Sequence, residues 1–142
     1  MKQKTILLAI SIFLFPVLVY GKGQTKYVAS LKDSTKQNVN ARGSVDAVLD
    51  DETGKLKVSG SYEYFGTNGT EIIVQVEGGE AAICSFKPPY NATNSPWKDW
   101  GFCDLNVEQK KALSEGKLHI LIRTIGRPDG QVSGAILPEA KK

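Results

Sequence analysis

The sequence predicts an all-β domain, an antiparallel two-sheet sandwich, Ig-like or closed into a barrel, with one short helix before the last hairpin. Three observations predict it. Apolar side chains recur at every second position in about seven separate runs, the period of a strand with one buried face. Turn-forming residues divide those runs: Asp50-Asp51-Glu52-Thr53-Gly54, Gly78-Gly79 and Arg127-Pro128-Asp129-Gly130. A single segment, from Asn106 to Gly116, carries helix signals at both ends.

Taken in order, Tyr27, Ala29 and Leu31 form one face of a first strand, and Lys32 to Arg42 is a polar connection. Val45, Ala47 and Leu49 restart the alternation. After the Asp50–Gly54 turn, Leu56, Val58, Gly60, Tyr62 and Tyr64 share a face opposite Lys55, Lys57, Ser59, Ser61 and Glu63. Two such runs joined by a polar, glycine-ended turn make a hairpin. Ile72, Val74 and Val76 continue the pattern, and Ala82 to Phe86 adds a strand stopped by Lys87-Pro88-Pro89. Pro88 to Phe102 has no regular period and is expected to be a long loop. Asn106 is the expected N-cap of the helix, with Gln109 completing a capping box and Gly116 at C′. Leu118, Ile120 and Ile122 face one way in the next strand. Val132, Gly134 and Ile136 form the last, and Pro138 to Lys142 is a fraying tail.

The N-terminus sets the compartment. Lys2 and Lys4 precede an apolar run from Ile6 to Val19, interrupted by Pro16 and followed by Val19-Tyr20-Gly21. Basic, apolar and small residues in that order mark a cleaved secretory signal over residues 1–21. The apolar run is too short for a membrane span of about 20 residues. Residues 22–142 then form one domain, with no stable membrane insertion once the signal is removed. Loss of the two lysines takes the formal charge from +3 to +1. No stretch has the Lys/Arg density of a nucleic-acid surface, so nucleic acid is excluded as a partner.

Two cysteines, Cys84 and Cys103, remain in the exported domain, and in an oxidising compartment they most simply pair with each other. That bond would contribute about 3 kcal/mol through loop entropy. Asn68-Gly69-Thr70 and Asn91-Ala92-Thr93 are N-glycosylation sequons, which makes Asn68 and Asn91 candidate acceptors.

Candidate chemistry is sparse. His119 lacks the companions that a metal site or a catalytic base requires. Asp50, Asp51 and Glu52 lack the ordered spacing of a calcium loop and suit a solvated turn. Glu77 and Glu80 flank a Gly-Gly turn and are the one pair open to a hydrolase reading. The expectation is a protein with no catalytic residues, no metal and no cofactor. Trp97-Lys98-Asp99-Trp100-Gly101-Phe102-Cys103 is the densest aromatic cluster. It could close one end of the core over the disulfide, or present a recognition loop with Trp97 and Trp100 as anchors. Both hold if one indole is buried and the other exposed.

Two blocks resemble the chordin-type (CHRD) domain family. They are Gly43-Ser44-Val45-Asp46-Ala47-Val48-Leu49-Asp50 with Thr53-Gly54-Lys55-Leu56, and Leu105 to Gly116 with Leu118 to Thr124 and Gly130 to Leu137. The resemblance implies a single-domain secreted member of that family, acting through contacts with an extracellular protein. Many members carry histidines at three strand positions, which align here with Gln75, Glu77 and Arg123. Whatever those histidines do elsewhere, this chain cannot repeat it. The expected function is therefore a secreted extracellular binding or structural module. Two alternatives stand beside it: an extracellular hydrolase using Glu77 and Glu80, and an abundant matrix, venom or salivary component.

Overall fold

The computed structural model of the protein describes residues 23–33, 35–79, 81–88 and 92–140. The signal segment lies outside them, as do Glu80 and Asn91. Nine strands and one helix form among the described residues. In chain order they are β1 (Gln24–Lys32), β2 (Arg42–Asp50), β3 (Lys55–Glu63), β4 (Gly69–Val76), β5 (Ala82–Phe86), β6 (Ser95–Asp104), α1 (Val107–Ser114), β7 (Leu118–Thr124), β8 (Val132–Ala135) and β9 (Leu137–Pro138).

All the pairings are antiparallel and link the strands into one sheet, in the order β5-β4-β7-β8-β1-β2-β3-β6, with β9 added beside β1. The sheet curls until its two ends, β5 and β6, meet. Of the two expected forms, the molecule is a nearly closed barrel. Its interior is filled by the alternate residues of each strand: Tyr27, Ala29 and Leu31 from β1; Val45, Ala47 and Leu49 from β2; Leu56, Val58 and Tyr62 from β3; Ile120 and Ile122 from β7. Period two places them there, because each apolar residue lies two positions from the next.

Helix α1 closes one end of the barrel and buries Leu113. Its capping box is formed, with the Gln109 amide donating to Asn106 Oδ1 at 2.8 Å and the Asn106 amide donating to Gln109 Oε1 at 2.9 Å. Gly116 follows at φ +73°, the left-handed turn that ends the helix.

Three expectations need correction. The long loop over Pro88–Phe102 is mostly strand: β6 begins at Ser95 and pairs with β3 along its length. Two register shifts, at Val58/Ser59 and Gly60/Tyr62, each insert an extra β6 residue, and these bulges erase the alternation. Tyr64 does not continue the buried face of β3. It turns out of the strand at φ +60°, its N–H donating to Asn94 Oδ1 and its carbonyl accepting from Asn38 Nδ2. The start of the tail does not fray: Leu137 and Pro138 pair with Val28 and Tyr27, and the Glu139 amide donates to the Lys26 carbonyl.

Antiparallel pairing sorts the chain reversals onto two poles. The first pole carries the β2–β3 turn, α1, the start of β1 and the end of β9. The second carries the end of β1, the start of β2, the end of β3, the start of β6 and the β7–β8 connection.

At the second pole the β1–β2 loop is fastened to the β7–β8 connection through Asp33. This carboxylate accepts from the Thr35 amide and hydroxyl (2.9 and 2.6 Å), from the Asn38 amide (3.0 Å) and from Arg127 Nη1 (3.2 Å). Its side chain is almost wholly buried. Burial alone would raise its pKa, but the Thr35 hydroxyl, the two amides and Arg127 together hold it at about 2.

Candidate functional site

The exposed large aromatic side chains among the described residues all belong to the β3–β6 region: Trp97 and Phe102 on β6, and Tyr64 just past the end of β3. Their setting follows from the bulges of β6. Gly101 pairs with Val58 and Asp99 with Ser59, so Trp100 is the extra residue between them and turns its indole inward. The ring fits because residue 60 is glycine, where a Cβ would stand 2.7 Å from the Trp100 ring. The second shift lies between the Gly60–Lys98 and Tyr62–Ser95 pairs, the stretch that holds Pro96 and Trp97. Trp97 is half exposed there, whereas Trp100 is nearly buried.

Charged and hydroxyl side chains lie between the aromatics. Asp99 accepts from the Ser59 hydroxyl at 2.7 Å and pairs with Lys57 at 3.4 Å. Both contacts, the Ser59 hydroxyl foremost, hold the Asp99 carboxyl below its usual range. Lys55 lies over the Phe102 ring at 5.4 Å, and Arg42 lies over Tyr64 at 5.3 Å while also pairing with Glu63. At the second-pole end, Ser61, Tyr62, Glu63, Asn94, Pro96 and Trp97 line an open cleft. Trp97 and Pro96 supply its apolar side, and Ser61, Glu63 and Asn94 supply a hydroxyl, a carboxylate and an amide. Asn94 Oδ1 is engaged by the Tyr64 amide, so its Nδ2 group is the part left to face a ligand.

The sequence-predicted residues separate accordingly. Cys84 and Cys103 are bonded, joining β5 to β6. Trp97 lines the cleft, while Trp100 belongs to the core, its Nε1 buried without a protein partner. Asn68 is half-buried just before β4, and its carbonyl accepts from the Ile125 amide. Glu77 is exposed on the turn after β4, and His119 Nε2 is 3.9 Å from its Oε2. Gln75 stands opposite His119 across the β4–β7 ladder, and Arg123 pairs with Glu71 at 3.4 Å. Asp50 Oδ1 accepts from the Glu52 and Thr53 amides, a turn-forming role. Among the described residues no three His, Cys, Asp or Glu side chains gather as a metal site would require, and no helix is long and apolar enough to cross a membrane.

Sequence reasoning missed Ser61, Glu63 and Asn94 of the cleft and three residues beside it. Phe102 was assigned to the loop rather than recognised as an outward strand position. Tyr64 continues the alternation of Leu56 to Tyr62 in the sequence, and only its place at the end of that run hints that it leaves the shared face. Arg42 gave no signal, since nothing in the sequence places a guanidinium beside Glu63, 21 positions on. No protein-family model and no curated protein matches the chain.

Proposed function

We propose that the protein is a secreted extracellular binding module that contacts its partner through the β3–β6 face, with Trp97 as anchor, and that it performs no catalysis. One observation carries this reading: the exposed large aromatics among the described residues all belong to the β3–β6 region, Trp97 and Phe102 on β6 and Tyr64 just past the end of β3. Large aromatics are usually buried because each offers about 150–250 Å² of surface, so three together on the outside favour a face that is covered by something else. Tryptophan and tyrosine are also the residues most enriched among binding hot spots. Export is supported by residues 1–21 and by the disulfide, which suits an oxidising compartment. The chordin-type resemblance of Gly43–Leu56 and Leu105–Leu137 points the same way, towards extracellular protein contact, with glycosylation at Asn68 and Asn91 as a further mark of that route.

The test compares the two tryptophans. Trp97→Ala should weaken capture of the native partner about tenfold or more, the factor that 1.4 kcal/mol represents, with the melting temperature nearly unchanged. Trp100→Ala should lower the melting temperature by several degrees through loss of core packing. Equal binding by wild type and Trp97→Ala would remove the reading.

A further inference from the structure

The cleft beside Trp97 has a composition that narrows its ligand. We infer that it takes one ring of a neutral carbohydrate, displayed as a glycan on the partner protein. This inference rests on reading the β3–β6 face as the binding surface.

The chemistry of the lining carries it. A protein hot spot is typically an apolar pocket emptied of water, ringed by polar groups. This cleft is more polar, with Trp97 and Pro96 on its apolar side and Ser61, Glu63 and Asn94 around them. A pyranose has the matching form. Its C–H face is weakly positive and stacks on the electron-rich face of an aromatic ring. Its edge carries neighbouring hydroxyls that both donate and accept.

The polar groups supply the complement. Glu63, paired with Arg42 outside the cleft, presents carboxylate acceptors to it. Ser61 adds a hydroxyl, and Asn94 adds the donors of its Nδ2 group. Charge selects between sugars. Glu63 is the one charged side chain of the lining, and Arg42, outside it, offsets that charge; an anionic ring would meet the carboxylate, so a neutral ring is favoured over a sulfated or carboxylated one.

Preorganisation favours the same assignment. Trp97 follows Pro96, whose φ is fixed, and lies within a strand bulge rather than a free loop. Arg42 and Glu63 face each other across the β2–β3 ladder. A Trp97 backbone held in a paired strand loses less freedom on binding than one in a free loop, which matters for a ligand as small as one ring.

The test is titration of the secreted domain with four neutral probes: lactose, mannotriose, cellotriose and chitotriose. The Trp97 indole N–H and the Ser61 amide are followed by NMR up to about 10 mM, enough to saturate a site with Kd about 1 mM. At least one probe should give a saturable shift of the indole signal. Trp97→Ala should abolish binding, Trp97→Phe should retain part of it, and Glu63→Gln should weaken it severalfold. A sulfated disaccharide should bind less tightly than its neutral parent. Failure of all four probes to shift the indole, or shifts that never saturate, would overturn the inference. If the probes fail while Trp97→Ala still abolishes partner capture, the sugar assignment falls and the binding face stands. If a probe binds while partner capture ignores Trp97→Ala, the sugar assignment stands and the wider reading falls.

Discussion

Two joins in the barrel hold by different physics. β1 and β2 run side by side for nine consecutive pairs, from Gln24–Asp50 to Lys32–Arg42, without a slip. Their buried residues alternate from Tyr27 to Leu31 and from Gly43 to Leu49. At the opposite extreme, β5 and β6 meet where the sheet path ends, with no ladder between them. They are held by the Cys84–Cys103 bond and by the Phe86 ring lying over Gly101, where a Cβ would stand 2.6 Å from the ring. A regular strand can be closed by hydrogen bonds and burial. β6, bulged twice against β3, has no ladder on its other edge, and a covalent bond with an aromatic contact takes its place there.

The comparison can be broken first on the ladder side. Leu31 is fully buried, and its side chain packs over Gly43 and Gly134. Leu31→Ala should cost about 3–4 kcal/mol, because the rigid strands around it cannot collapse into the space. Chemical denaturation would measure it. A loss below about 1 kcal/mol would show that the ladder side is more plastic than its regularity implies.

On the seam side, Cys84→Ser with Cys103→Ser should cost about 3 kcal/mol, mainly by freeing the unfolded chain over a separation of 19 residues. That corresponds to a fall in Tm of roughly 10 °C for a domain of this size. Hydrogen exchange should rise in β5 and β6 and stay unchanged in β1 and β2. Uniform exchange across both joins would contradict the division.

A smaller effect is expected at the second pole, where neither join acts alone. Asp33→Asn should cost about 2 kcal/mol at neutral pH by weakening a buried set of charge-assisted hydrogen bonds. The native carboxyl titrates near 2 against an ordinary value of 3.8, so the unfolded chain takes up the proton first as pH falls. The contribution is thus complete above about pH 4 and is lost between about 4 and 2. Unfolding curves of wild type and Asp33→Asn should therefore converge as pH drops towards 2. A constant gap over that range would show that the carboxylate charge is not what binds the two loops.

The smallest stability effect belongs to Trp97→Ala, within about 0.5 kcal/mol, since half of the side chain is already in water. A larger loss would move Trp97 from the binding face to the support of β6.

Much of the fold was legible because its signals are local. The Asn106–Gln109 capping box, the turn at Asp50–Gly54 and the alternation of β1, β2 and β7 each lie within about ten residues, where period and capping rules apply. β6 was not legible, because each inserted residue reverses the inward and outward positions that follow it. Tyr64 was misplaced since its turn depends on the side chains of Asn94 and Asn38, 30 and 26 positions away. The site was half legible. The aromatic run drew attention to Trp97 and Trp100, but only the bulge decides that one indole faces out and the other in. Ser61 and Glu63 join the cleft, and Arg42 meets Glu63, through strand register alone.

The pairing of β9 with β1 also governs how the domain can be displayed. Gln24 and Glu139 lie close together at the first pole, whereas Trp97, Glu63 and Arg42 cluster at the second. A tether joined at either end therefore leaves from the side remote from the cleft. Immobilised through either end, or strung between neighbours, the domain would hold its cleft outward like the head of a pin, and a short linker would be as serviceable as a long one.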